Sequence, residues 1–384
     1  MDFKLNEEQE MMRQLARSFA RERIAPLVEE DEEAHRFRPE LVREMGEMGL
    51  LGAVIDEEWG GTNAGYVASV AMTMEIAQVQ ASMALPFNMQ TTGPGLTIQR
   101  WGTQAQKERY IAKLVTGEIL GCFAITEPNS GSDVASMKTT ATKVDGGWLL
   151  NGSKTWISQA HLADVGLIYA HTDKDKGHRG MSCFIVDMKK TEGLSTKAID
   201  KKFGLYCSPT GEIFMENAFV PDDALLGELG QGFKICMTML DGTRLSRACR
   251  AVAVGKACID AAVTYAKERT QFGKTLASFQ MIQSDIAEMY VEHEAAKLLV
   301  YRAAAARDAG QKRVTLETSV AKYFAAEAVA HAANMTMKIF GSYGYSTEYP
   351  AARLLRDAKS FQIVEGTSNV QKLIISRAVL DMYP

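Results

Sequence analysis

A chain of 384 residues, 46% hydrophobic and 23% charged, is long enough for two or three cooperative units with sizeable cores. Its net charge of −4 is spread over both signs, which argues against a basic nucleic-acid surface or an acidic tail. No run approaches the length of a membrane span. Six cysteines without a C-x-x-C pair imply reduced thiols. The opening Met1-Asp2-Phe3-Lys4-Leu5-Asn6 is polar, so a cytoplasmic protein, bacterial rather than a mitochondrial precursor, is expected.

Along residues 6–24, Met11, Leu15 and Phe19 recur at helical spacing, and Asn6 with Gln9 forms a capping-box pattern. Residues 38–49, 66–80 and 103–115 also read as helices, so the chain is helical to about Ile119. The texture then changes. Short apolar runs at 121–125, 148–151, 166–170, 181–186 and 212–214 read as strands, with Asp145-Gly146-Gly147 as a hairpin turn. Long helical patterns return at 245–269, 281–310 and 315–340, and a last one runs over 368–380. Helices, strands and an antiparallel helical bundle in that order predict an α+β fold with three parts: 1–119, 120–230 and 231–384. It is not a Rossmann order, and no G-x-G-x-x-G follows a strand.

The segment Ala124-Ile125-Thr126-Glu127-Pro128-Asn129-Ser130-Gly131-Ser132-Asp133 runs an apolar strand into a loop of small residues. Such a loop lets backbone N–H groups and hydroxyls approach a phosphate or a flat heterocycle, although composition alone also fits a surface turn. Further segments stand out in order. They are Asn151-Gly152-Ser153-Lys154-Thr155-Trp156-Ile157-Ser158, Asp241-Gly242-Thr243-Arg244 and Glu268-Arg269-Thr270-Gln271-Phe272-Gly273 with Phe279-Gln280. Gly344-Tyr345-Ser346-Thr347-Glu348-Tyr349-Pro350 and Val364-Glu365-Gly366-Thr367-Ser368-Asn369 complete the set.

Together these segments resemble the acyl-CoA dehydrogenase family along nearly the whole chain; six matches in order are far more specific than any one. The resemblance implies the acyl-CoA dehydrogenase fold: an N-terminal helical domain, a middle β-domain and a C-terminal four-helix bundle. It implies bound FAD, an acyl-CoA substrate, an electron-transferring flavoprotein as acceptor, and a homotetramer built as a dimer of dimers. The flavin would meet Phe123, Ile125, Thr126, Gly131, Ser132, Trp156 and Ser158. Arg269, Phe272 and Gln280 would reach the pyrophosphate of a neighbouring subunit's FAD, since a guanidinium pairs with phosphate as a fork. Lys338, Gly341, Ser342, Thr367 and Asn369 would complete the cofactor site. Ser132, Asp241, Arg244 and Gly366 would contact the substrate. Asp241 and Arg244 also read as an ordinary i,i+3 ion pair, and Trp156 as a core aromatic.

Glu365 carries the chemistry in this resemblance. It follows the apolar Phe361-Gln362-Ile363-Val364 and precedes Gly366. The resemblance makes it the general base that takes the α-hydrogen of the thioester while the flavin accepts the β-hydrogen. Some members place the base at the position of Thr243, which cannot serve. Departures from the family pattern are Lys338 and Gly341-Ser342 in place of Gln and Gly-Gly, Asn369 for Gln, and Val364 for Tyr. The subgroup most resembled is glutaryl-CoA dehydrogenase, which holds its substrate's distal carboxylate with an arginine shortly after the 66–80 helix. Residues 82–89 contain no Arg or Lys. An unpaired carboxylate in a dry pocket is costly. An uncharged acyl group is therefore expected, branched or alicyclic (cyclohexanecarboxyl-CoA, for example), against Met83, Leu85, Phe87 and Met89. Glutaryl-CoA dehydrogenation, the reverse reduction and a non-catalytic acyl-CoA-binding role are the alternatives.

Overall fold

The computed structural model describes residues 4–311 and 313–383. The first zone is helical: α1 (Glu7–Phe19), α2 (Val28–Ala34), α3 (Pro39–Glu47), α4 (Gly65–Val79), α5 (Leu96–Trp101) and α6 (Gln104–Val115). The Asn6/Gln9 capping box forms as the sequence expects. The first helix stops sooner than expected. A π-turn at Ala20–Ile24 and a 3₁₀ turn carrying Pro26 divide it from α2, because proline removes a helical donor. Phe87–Gly95 is a π-helical segment that periodicity did not reveal; Gly93-Pro94-Gly95 reads as a breaker in sequence.

The middle zone is one eight-stranded sheet. Its strands are β1 (Gly121–Ala124), β2 (Thr140–Val144), β3 (Gly147–Ser158), β4 (Val165–His171), β5 (Met181–Asp187), β6 (Leu194–Ala198), β7 (Thr210–Pro221) and β8 (Leu225–Leu226). They lie in the order β6-β7-β3-β2-β4-β5-β8, with β1 added parallel to β4. Asp145-Gly146 is the hairpin turn between β2 and β3, and Gly146 supplies the positive φ it needs. β4 and β5 are buried along nearly their whole length, which is why they read as unbroken apolar runs.

Among the described residues, five α-helices form the last part: α7 (Gly232–Glu268), α8 (Gln280–Asp308), α9 (Thr315–Phe340), α10 (Pro350–Phe361) and α11 (Ser368–Leu380). A small hairpin of β9 (Thr270–Gln271) and β10 (Lys274–Thr275) separates α7 from α8. α7 begins well before the predicted residue 245, and every residue from Gly242 to Gly255 is buried. A helix buried on all faces has no amphipathic stripe to announce its start. α10 was not expected; Pro350 looks like a turn residue but sits in the first helical turn, where its missing N–H is harmless. The main core joins α4, α7, α8, α9 and α10 through residues such as Leu245, Val252, Val300, Val329 and Phe361. Phe361 is fully buried. Such burial contributes about 2–3 kcal/mol and ties down the loop that follows. Among the described residues, no helix is long and apolar enough to cross a membrane.

Candidate active site

The loop between α10 and α11 holds Glu365 in a left-handed conformation, with φ +55°. A non-glycine residue there is strained by about 1–2 kcal/mol and persists only where its surroundings fix it. They do so here. Ser360 O accepts the N–H groups of Ile363 and Val364, both at 3.1 Å. The Gln371 side chain donates to Gly366 O at 3.0 Å, and Lys322 Nζ donates to the same oxygen at 2.6 Å. Thr367 caps α11 through its hydroxyl. Gly366 is required: a Cβ there would stand 2.5 Å from Gln371 Nε2, and its φ is +85°.

The Glu365 carboxylate is not in an apolar pocket, as the flanking residues suggest, but among polar partners from distant elements. Its Oε1 accepts from Asn88 Nδ2 at 2.9 Å. Arg247 reaches the same oxygen, with Nη2 at 3.3 Å and Nε at 3.4 Å. The side chains of Arg247 and Glu365 are 7% and 8% exposed. The second oxygen, Oε2, is buried and without a hydrogen-bond partner. One oxygen is thus anchored and the other left to act on something the chain itself does not supply.

Asn88 and Arg247 were both missed from the sequence. Asn88 lies in the π-helical segment, and its Oδ1 accepts from Thr92 Oγ1 at 3.0 Å, which turns the amide N–H₂ toward Glu365. Met83 and Phe87, expected to line the acyl pocket, pack instead into the N-terminal core with Phe19, Met45 and Met72. For Arg247 a signal existed: Arg244, Arg247 and Arg250 recur every three residues in a helix otherwise rich in alanine and cysteine. An Asn88→Leu variant removes one donor to the anchored oxygen. A hydrogen bond to a charged group contributes about 1.5–3 kcal/mol, so kcat falls roughly 10- to 100-fold. Steady-state turnover at saturating thioester, at unchanged flavin content, checks this.

Asp241 and Arg244 do form the i,i+3 ion pair, at 2.7 Å, and Thr315 Oγ1 donates to the other Asp241 oxygen at 2.9 Å. Arg244 Nε remains buried and unpaired. Thr243 is fully buried, its hydroxyl 3.5 Å from Leu240 O.

The second locus is built by β1, β3 and the loop between them and β2. Thr155 N donates to Thr126 O at 3.0 Å. The β3–β7 register breaks between Lys154 and Ile157, and Trp156 sits in that bulge with φ +61°. A bulge re-aims a side chain, and Trp156 emerges 59% exposed rather than as a core aromatic. Thr126, Glu127, Asn129, Gly131, Thr155 and Trp156 border a cleft of about 560 Å³. A Cβ on Gly131 would meet nothing within 4 Å, so this edge of the cleft is open. Ser132 is exposed, Thr126, Phe123 and Ser158 are half-buried, and Ile125 is buried in the core between sheet and helices.

Beneath this loop lies an ion pair that no motif announced as structural. Lys154 Nζ, fully buried, is 2.9 Å from Glu127 Oε1 and donates to Ile125 O at 3.2 Å. Glu127 also accepts from the Thr139 N–H at 3.0 Å and from the Thr139 hydroxyl and Lys138 N–H, both at 2.5 Å. Burial alone would raise the Glu127 carboxyl; the Lys154 charge and these hydrogen bonds outweigh it and hold the group below the usual carboxylate range.

The third locus is the β9–β10 hairpin. Phe272, with φ +51°, is 93% exposed. The Arg269 guanidinium lies 5.4 Å from the Tyr343 ring. Lys338 is paired with Asp285 at 2.9 Å, and Gln280 and Asn369 are exposed. Among the described residues this locus shares no hydrogen bond, ion pair or ring contact with residues 126–158 of the same chain.

Comparison with known proteins decides the family. The description "Acyl-CoA dehydrogenase, N-terminal domain" matches residues 6–118, its middle domain 122–218 and its C-terminal domain 230–380. The chain belongs to the acyl-CoA dehydrogenase family. It is 46% identical to a glutaryl-CoA dehydrogenase of Desulfococcus multivorans, over 98% of this chain and 97% of that one. It is 40% identical to the caffeyl-CoA reductase-Etf complex subunit CarC of Acetobacterium woodii, over 98% and 99%. A solved glutaryl-coenzyme A dehydrogenase–glutaryl-CoA complex superposes with a TM-score of 0.96 at 45% identity, covering 99% of this chain and 97% of that one. This acyl-CoA dehydrogenase therefore has the three-part helical, β and helical fold of its family and its FAD-dependent oxidation of acyl-CoA. Its own residues fit the cofactor: an uncovered indole beside an open cleft of small residues gives a flat ring a wall and a polar edge.

Proposed function

We propose that Glu365 is the general base of an α,β-dehydrogenation of an acyl-CoA thioester, with FAD held against Thr126, Trp156 and Ser158. The observation that carries this is the carboxylate itself: strained backbone, one oxygen pinned by Asn88 and Arg247, the other free. Oε2 takes the α-proton. The Glu365 backbone N–H has no acceptor among the described residues, which suits it to hold the thioester oxygen as negative charge develops there. FAD, when bound, accepts the β-hydrogen as hydride. Arg244, with its unpaired Nε, is assigned to the CoA chain together with Asp241, Ser132 and Gly366.

Arg269, Phe272 and Gln280 are assigned to the FAD of a second subunit. Their separation from the Trp156 cleft within one chain and the exposure of Phe272 support this. Lys338, Gly341, Ser342, Thr367 and Asn369 complete that end of the cofactor site. The apolar Met281, Val291 and Leu298 of α8 and Leu373 and Leu380 of α11 are exposed, which favours a tetramer over a monomer. An electron-transferring flavoprotein is the proposed acceptor, supported by the naming of one relative as part of an Etf complex. We assign the units 1–119, 120–230 and 231–384 to the three parts.

The uncharged acyl group expected from the sequence remains the proposed substrate class, with glutaryl-CoA as its rival. Residues 82–89 hold no cation, but Arg247 enters the site from α7 instead. The relatives reported above lend no support to a cyclohexanecarboxyl thioester.

The base assignment is tested in D₂O with a thioester that carries no β-hydrogen. The wild type exchanges its α-hydrogens; retention of all α-hydrogen by flavin-loaded protein contradicts the assignment.

A further inference from the structure

We propose that α9 positions the base through two side chains: Glu327 closes the neck of the loop that carries Glu365, and Lys322 sets a buried positive charge beneath its middle. Both are positioning residues, and the inference rests on Glu365 as the base.

The neck is the first ground. Ser368 N donates to Gln362 O at 3.0 Å, so the chain closes on itself around Glu365. The Glu327 carboxylate spans the same two residues. Its Oε2 accepts from Gln362 Nε2 at 2.9 Å and its Oε1 from Ser368 Oγ at 2.6 Å. Lys359 Nζ donates to Gln362 Oε1 at 2.8 Å, which turns the amide N–H₂ toward Glu327. One carboxylate, with both oxygens engaged, thus holds both ends of a loop whose midpoint has a positive φ. Hydrogen bonds to an ionised acceptor are strong ones, suited to keeping a strained residue in place.

The second ground is redundancy at Gly366, the residue next to the base. Its oxygen already accepts from Gln371 Nε2 at 3.0 Å. Lys322, 1% exposed, nevertheless donates to the same oxygen at 2.6 Å. Burying an ammonium for a bond that a neutral amide already makes is costly, so the charge is what Lys322 adds. A fixed cation in a low-dielectric site stabilises negative charge developing nearby, as it would on a thioester oxygen at the Glu365 N–H.

The third ground is the charge environment. Burial brings the Lys322 ammonium down to about 8; Glu365 and Glu327 favour its charged form, while Arg247 and Arg244 oppose it. Arg244 is itself paired with Asp241. Arg250 of α7 is brought down to about 9 by burial and by Arg247, with Glu365 and Asp357 of α10 opposing. Lys372 of α11 lies over the Tyr323 ring, and α8 meets α9 farther along, where Glu292 pairs with His331. Lys322 is therefore charged below about pH 8 and neutral above it.

A purely structural clamp predicts loss of flavin or of stability with an unchanged pH profile. The experiment follows, across pH in D₂O, exchange of the α-hydrogens of acetyl-CoA, which has no β-hydrogen to give to the flavin. FAD-loaded wild type, Lys322→Met, Lys322→Arg and Glu327→Gln are compared, with flavin content and melting temperature measured in each. Exchange by the wild type falls as pH rises through about 8, where Lys322 loses its charge. Lys322→Met slows exchange at neutral pH roughly 10- to 100-fold, the effect of one buried charge on a developing anion, and shows no such fall. Lys322→Arg stays charged, keeps most of the wild-type rate and also loses the fall. Glu327→Gln moves the fall to lower pH, because a carboxylate that favours the ammonium is gone. A fall that stays in place in the Lys322 variants, equal loss in Lys322→Met and Lys322→Arg, or a wild type that exchanges without the fall overturns the proposal and leaves the base assignment standing. A flavin-loaded wild type that exchanges nothing overturns both.

Discussion

Replacing Glu365 with Gln lowers kcat roughly 10²- to 10⁴-fold, the contribution expected of a positioned general base, while FAD stays bound. The amide is nearly isosteric and keeps an oxygen for Asn88 Nδ2. The loop keeps its other supports in Lys322, Gln371 and the Thr367 cap. What is lost is the basic oxygen that has no partner in the chain. Stopped-flow reduction of the bound flavin by substrate separates this from a binding defect: the thioester still perturbs the flavin spectrum, and reduction is slow. Equal reduction rates in variant and wild type would remove Glu365 from the chemistry.

The largest structural effect falls on Lys154. Lys154→Met leaves the Glu127 carboxylate buried with its hydrogen bonds to Thr139 and Lys138 but without its cation. Breaking a buried pair from one side costs about 3–5 kcal/mol. Glu127 belongs to the loop that borders the Trp156 cleft, so the variant purifies with less flavin and melts earlier. Because the Glu127 carboxyl lies below its ordinary value in the folded protein, the pair's stabilisation is complete above the unfolded carboxylate's pKa. It is lost as pH falls through the folded value. The gap in melting temperature between wild type and Lys154→Met therefore narrows on acidification. The double change Glu127→Gln with Lys154→Met recovers much of the loss, because no unpaired charge remains.

What could be read from the sequence was what repeats locally. The Asn6/Gln9 box, the hairpin at Asp145-Gly146 and the limits of α9 and α11 follow from spacing and capping, and all are present. The positions of Trp156 and Glu365 could be read through motif order. Their positive φ could not, since it comes from a β-bulge and a loop clamped by Lys322 and Gln371. The environment of Glu365 stayed hidden because it is assembled across the chain. Asn88 and Glu365 stand 277 residues apart, and Arg247 and Glu365 stand 118 apart. Residues 82–89 hold no arginine, whereas folding brings Arg247 to Glu365 from the middle of α7. Buried on every side, α7 lacks the amphipathic pattern that would have shown which way Arg247 points.

The most direct test of the central claim is anaerobic mixing of the FAD-loaded protein with short acyl-CoA thioesters, following the flavin absorbance and the thioester product. The account predicts bleaching of the flavin with formation of one equivalent of the 2-enoyl-CoA, and no bleaching on the same timescale in Glu365→Gln. A protein that holds FAD, binds the thioesters and keeps its flavin oxidised with all of them would contradict it.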